Sequence, residues 1–148
     1  MDDKSFMKIA LEEAAKAAAM GEIPIGAVLV MNEEIVAKGH NMRETWQDAT
    51  AHAEIVVIQA ACKKLKAWRL TGATLYVTIE PCPMCAGAII MSRIERLVYG
   101  APDSRAGACE SLFNVVNNSA LNHQVKVTAG IMEQECGKIV KDFMQDKR

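Results

Sequence analysis

The stretch Ala73-Thr74-Leu75-Tyr76-Val77-Thr78-Ile79-Glu80-Pro81-Cys82-Pro83-Met84-Cys85-Ala86-Gly87 decides how the chain folds. Ala73 to Ile79 is rich in β-formers and reads as a strand. Pro83, just after Cys82, stands where a helix favours proline, at its first position. From Pro83 to Arg93 the helix is apolar almost all the way round, through Met84, Ala86, Ala88, Ile89, Ile90 and Met91. Such a helix is buried, either in the core or in a subunit interface.

Working outward, the same alternation continues. Ser5 to Met20 reads as a helix, with Lys8, Glu12 and Lys16 on a charged stripe and Phe6, Ala10, Ala14 and Ala17 on an apolar one. Ile25 to Met31 is a continuous apolar run, as expected of a strand covered on both faces. Asn32-Glu33-Glu34 turns the chain, and Ile35 to Asn41 returns as a second, antiparallel strand. Met42 to Thr50 reads as a polar loop, and a helix follows from near His52 to about Lys66.

After the central stretch, Arg96 to Ala101 is a fourth strand, Asp103 to Gly107 a loop, Ser111 to Val116 a short helical piece and Val125 to Thr128 a fifth strand. Met132 to Met144 closes the series as an amphipathic helix. Strands alternating with helices predict a three-layer α/β/α sandwich around a mixed sheet of about five strands. Residues 1–148, without repeats or linkers, read as one domain.

Composition narrows the function. The chain is 51% hydrophobic and 24% charged, the balance of a globular domain. No apolar run approaches the ~20 residues of a membrane span. The polar, acidic start Met1-Asp2-Asp3-Lys4-Ser5 is unlike a signal peptide. Five irregularly spaced cysteines point to a reducing compartment, and the cytoplasm is the expected location. With a net charge of −1, any RNA binding has to rest on a local patch.

The chemistry lies in Ala51-His52-Ala53-Glu54 taken with Pro81-Cys82-Pro83-Met84-Cys85. Cys82 and Cys85 share a helix face within the first turn, where the helix dipole favours thiolates. His52 and Glu54 can share a site only at a helix end. Two such helix starts must then meet beyond the strand ends, where α/β folds place ligands.

Two sulfurs and an imidazole suit zinc better than calcium or magnesium. Three protein ligands are one short of a closed structural site and leave room for water. Zinc with an open position lowers the pKa of water from ~15.7 to ~7, and Glu54 is the natural proton carrier beside it. Other readings of these residues are a redox Cys-x-x-Cys pair, or a closed zinc site completed by His40, His123 or Cys109. Cys62, Cys109 and Cys136 read as small buried hydrophobes. His40 and His123 read as hydrogen-bonded structural histidines, and Lys63-Lys64-Leu65-Lys66 as a solvated helix end.

The H-x-E…P-C-x-x-C pattern is the signature of the zinc deaminases that act on nucleobases. The chain resembles the bacterial tRNA-specific adenosine deaminases over nearly its whole length. The likeness is carried by Glu22-Ile23-Pro24-Ile25-Gly26-Ala27-Val28, Ala49 to Ile55, Thr74 to Cys82, Met91-Ser92-Arg93-Ile94 and Asn122-His123. It implies conversion of the wobble adenosine of a tRNA anticodon to inosine by a homodimer with one zinc per subunit.

It further implies that His52, Cys82 and Cys85 hold zinc and that Glu54 moves protons. By the same resemblance Asn41 hydrogen-bonds the flipped nucleoside, Ile25 lines the base pocket, and the backbone around Ala53 and Pro81 reads the base edge. Asp103 matches a loop beside the target nucleotide. It is expected either to accept from a ribose 2′-hydroxyl or to cap its own turn.

The final stretch, Asp142 to Arg148, departs from the family's aromatic pair and basic tail, with one Phe and mixed charges. Two other functions stay open at this point. One is deamination of a free base or nucleoside such as guanine, cytosine or cytidine. The other is an idle zinc-binding subunit, against which Glu54 speaks.

Overall fold

In the computed structural model, which describes residues 1–146, the strand Thr74–Ile79 lies at the centre of a five-stranded sheet. In chain order the strands are β1 (Gly26–Met31), β2 (Glu34–His40), β3 (Thr74–Ile79), β4 (Arg96–Ala101) and β5 (Lys126–Thr128). Their spatial order is β2-β1-β3-β4-β5. β1 runs antiparallel to both β2 and β3, while β3, β4 and β5 are mutually parallel. The sheet is therefore mixed, as the strand pattern predicts.

The helices are α1 (Asp3–Ala19), α2 (Arg43–Trp46), α3 (Ala53–Leu65), α4 (Pro83–Met91) and α5 (Glu133–Asp146). Alternate strand residues face opposite ways, and each set has its own cover. Val28, Tyr76 and Val98, neighbours across β1, β3 and β4, pack with Phe6, Met7 and Ala10 of α1 and Cys136 of α5. Leu29, Leu75, Val77 and Leu97 pack with Val57 and Ala61 of α3 and Ile89 and Ile90 of α4. That double burial is why β1 reads as a continuous apolar run, and it holds for β3 as well, whose Leu75, Tyr76 and Val77 are all buried. The result is a three-layer α/β/α sandwich.

Two local contacts fix the first layer. Gly26 has no room for a side chain, because a Cβ there would run into the Ala10 carbonyl oxygen, so α1 rests directly on the start of β1. Asp3 takes a two-pronged bond from Arg96, at 2.9 and 2.7 Å, and a 2.8 Å bond from the Tyr76 hydroxyl. These join the N-terminal helix to β3 and β4.

Two segments differ from the sequence reading. Within Met42 to Thr50, expected to be a loop, Arg43–Trp46 forms one helical turn. The cause is remote: the fully buried Glu22 carboxylate accepts the Glu44 and Thr45 N–H groups at 3.1 and 2.5 Å. Ser111 to Val116, expected to be helical, is a run of turns and irregular chain. Its backbone donors are drawn elsewhere, Ser111 N–H to Glu80, Leu112 N–H to Gly107 and Val115 N–H to Ala108. Lys147 and Arg148, the end of the mixed-charge tail, lie outside the described residues.

Candidate active site

Strand direction brings the site residues to one edge of the sheet. The register pairs Gly26 with His40 and Ile79 with Ala101. The segments just beyond those residues therefore emerge side by side: Ile25, Asn41, Glu80 to Cys82, and Asp103. Open α/β sheets carry ligands at such an edge.

Two helices begin there in the same way. His52 is the N-cap of α3, in extended conformation, and its carbonyl accepts the Val56 N–H at 3.0 Å. Cys82 is the N-cap of α4, also extended, with Pro83 in the first turn, and its carbonyl accepts the Ala86 N–H at 2.8 Å. Neither side chain caps its own helix, which leaves both free to face the gap between the helix ends. His52 Nδ1 lies 3.6 Å from Cys82 Sγ and 3.5 Å from Cys85 Sγ.

These separations fit a metal. Zn–S and Zn–N bonds of about 2.3 and 2.0–2.1 Å at a tetrahedral angle put the ligand atoms about 3.5 Å apart. Among the described residues, His52, Cys82 and Cys85 form the one cluster of three or more suitable side chains, with all ligand atoms within 4.8 Å of one another. Among the described residues no fourth protein ligand joins it. His40 Nδ1 lies 3.1 Å from the Asn41 carbonyl, and His123 Nε2 lies 2.8 Å from the Ile94 carbonyl. Cys109 and Cys136 are buried in the two cores, and Cys62 is half-buried.

The electrostatics suit a cation. The bond from Cys85 and the nearby His52 pull the Cys82 thiol down to about 4, so it is held as a thiolate. That thiolate, followed by burial, pushes the Cys85 thiol up, and the His52 imidazolium is favoured by the same sulfur. A metal ion bound here would take the place of the protons these groups share. Glu54, in the first turn of α3, is 4% exposed, and burial pushes its carboxyl up to about 7.

Around this centre, Asn41 is buried, and its Oδ1 accepts the Arg43 N–H at 3.1 Å. Its Nδ2 lies 3.4 Å from the Ile23 carbonyl. Ala53 is fully buried beside the ligand helix end, and the Pro81 carbonyl accepts the Ala108 N–H at 2.9 Å. Asp103 Oδ1 accepts the N–H groups of Arg105 and Ala106 at 2.9 and 3.3 Å, so the aspartate caps its own turn. Ile25 and Asp103 face a common cleft of about 430 Å³ with Ile23, Arg105, Val140 and Met144.

Sequence reasoning overlooked Glu80. Its carboxylate accepts hydrogen bonds from the loop that carries Asp103, and those bonds outweigh burial and hold it down to about 2. The available signal was a charged residue set between an apolar strand and a buried proline.

The comparisons agree with this geometry. A family model described as MafB19-like deaminase matches residues 1–148. The chain is 53% identical over 146 residues to the tRNA-specific adenosine deaminase of Bacillus subtilis (strain 168), covering 99% of this chain and 91% of that one. The chain belongs to the tRNA-specific adenosine deaminase family. This deaminase is also 46% identical over 147 residues to the tRNA-specific adenosine deaminase of Haemophilus influenzae, covering 99% and 85% of the two chains.

A solved structure from work on A-to-I editing by tRNA:A34 deaminases at the wobble position matches this deaminase with a TM-score of 0.88. The two are 47% identical, and the match covers 91% of this chain and 98% of that one. A guanine deaminase structure from Bacillus subtilis matches with a TM-score of 0.68 at 40% identity, covering 77% and 72%.

Proposed function

We propose that this deaminase hydrolyses the 6-amino group of adenosine at the wobble position of a tRNA anticodon, giving inosine and ammonia. The carrying observation is the three-ligand cluster with buried Glu54 beside it, in a chain 53% identical to a tRNA-specific adenosine deaminase. The 40% identity to a guanine deaminase favours a second reading, hydrolysis of free guanine.

His52 and the two thiolates of Cys82 and Cys85 would hold one zinc per chain. Zinc with an open coordination position supplies the acidity that lets water attack near neutral pH. Glu54 takes the proton from the attacking water and hands it to N1 as the oxygen adds to C6. The proton of the new C6 hydroxyl then passes through Glu54 to the exocyclic nitrogen, and the C6–N bond breaks to release ammonia as the C6 carbonyl forms. A carboxyl poised near neutrality both accepts and donates, as this shuttle requires.

The side chain of Asn41 would bond the nucleoside, and Ile25 would lie against the base. Backbone at Ala53 and Pro81 would read the base edge, and Asp103 would face the ribose of the flipped nucleotide. Residues 1–148 act as one domain in this reading, in the cytoplasm. No helix among the described residues is long and apolar enough to cross a membrane.

The functional unit is a homodimer. Support comes from an apolar groove of about 470 Å³ between α3 and α4, lined by Ile58, Cys62, Trp68, Ala88 and Met91. A fully apolar helix with Met91 68% exposed at its end calls for a covering surface. Nucleoside analysis of an anticodon stem-loop incubated with the zinc-loaded protein tests the function. Inosine at the wobble position supports it, and an unchanged adenosine with guanine consumed favours the second reading.

A further inference from the structure

Glu80 joins two parts of the site that sequence places far apart. It is 2% exposed, and its backbone N–H donates to the Ala101 carbonyl at 2.9 Å. Its Oε1 accepts the Asp103 N–H at 3.0 Å and the Ser111 hydroxyl. Its Oε2 accepts the N–H groups of Cys109, Glu110 and Ser111 at 3.1, 2.8 and 3.0 Å. Among the described residues no lysine or arginine pairs with it. The negative charge is met by four backbone N–H groups and one hydroxyl of a single loop, so what the carboxylate fixes is the path of that loop.

Two further observations concern the same contact. Gly107 has no space for a Cβ, which would collide with Glu80 Oε1 and the Asp103 carbonyl oxygen. The next residue along, Pro81, accepts the Ala108 N–H. Residues 103–111 are thus clamped to the two residues that lead directly into the ligand Cys82. A buried five-donor carboxylate is a costly arrangement unless the position it fixes matters, because each donor left unpaired would be penalised.

We infer that Glu80 is a positioning residue, holding the 103–111 loop against the metal-ligand turn so that Asp103 and its cleft meet the substrate nucleotide. This inference rests on the adenosine deaminase reading for its substrate. It assigns Glu80 no proton transfer. Its effect belongs in substrate engagement, acting through the loop.

The test is Glu80→Gln, which keeps the shape but turns an NH₂ group toward N–H donors. Zinc content, kcat and KM on an RNA anticodon stem-loop are measured, with amide hydrogen exchange at residues 103–111. Expected are a KM raised about tenfold, a much smaller fall in kcat, retained zinc and faster exchange confined to the loop. Gly107→Ala disturbs the contact from the loop side with Glu80 intact, and it should move KM the same way. Combining Glu80→Gln with Asp103→Ala should raise KM no further than the larger single change, as for residues acting in series.

A loop that exchanges faster while KM stays within about twofold of wild type would overturn the inference. So would loss of zinc and kcat together at unchanged KM. If wild type is inert on the stem-loop but consumes guanine, the adenosine reading fails by itself. The same variants then decide the positioning role on guanine.

Discussion

His52 Nδ1 and Cys82 Sγ, 30 residues apart in sequence, lie 3.6 Å from each other because each residue is the N-cap of a different helix. Helix N-caps leave the side chain outside the helical spiral, and here neither is used to cap. The site is therefore built where two positive helix ends converge, which favours the thiolates that a metal needs.

Glu54 lies within the first turn of α3 and has no place in the ligand cluster. Glu54→Ala should lower kcat by roughly 10²–10⁴ while leaving one zinc per chain. Turnover rates paired with metal analysis check this. Activity near wild type would remove Glu54 from the mechanism.

Cys82 belongs to the cluster that could hold a metal and is the N-cap of α4. Cys82→Ala should abolish stoichiometric zinc binding and lower the melting temperature, and a chelator should do the same to wild type. Ligand present at about 100 times its Kd stabilises a fold by about 2.7 kcal/mol, so the shift is measurable by thermal unfolding.

Glu22 holds α2 in place through the Glu44 and Thr45 N–H groups. Burial alone would raise its carboxyl, but the bonds from Thr45 and Glu44 prevail and lower it below 4.5. A depressed folded-state value stabilises the fold at pH above 4.5, and that contribution is lost as pH falls through the folded value. Glu22→Gln should therefore cost about 1–3 kcal/mol near pH 7. The gap between variant and wild type should narrow as pH drops below 4.5, which urea unfolding across pH would reveal.

Met91 and Trp68, 68% and 56% exposed, border the apolar groove between α3 and α4. If that groove is the subunit interface, Met91→Glu should turn a dimer into a monomer. Sedimentation at matched concentration reads the outcome directly.

Much of this molecule was legible from local pattern. The apolar run of β1 and the β-formers of β3 are buried on both faces, so their strand character needed no distant information. The ligand cluster was legible because Pro83 marks a helix start and Cys82 and Cys85 share its first turn.

What escaped was determined at a distance. The turn at Arg43–Trp46 depends on Glu22, and the irregular path from Ser111 to Val116 depends on Glu80 and Gly107. In both places a remote acceptor captures backbone N–H groups, overriding local propensity. Asp103 shows the same limit: its residue type fitted two roles, and only the structure displays the turn it caps.

The central claim is tested most directly by the initial rates of the zinc-loaded protein on four substrates measured side by side. They are an RNA anticodon stem-loop with adenosine at the wobble position, the same loop in DNA, free adenosine, and free guanine with cytidine. The account predicts inosine in the RNA loop and little reaction elsewhere. Rapid turnover of a free base or nucleoside with the RNA loop left intact would contradict it.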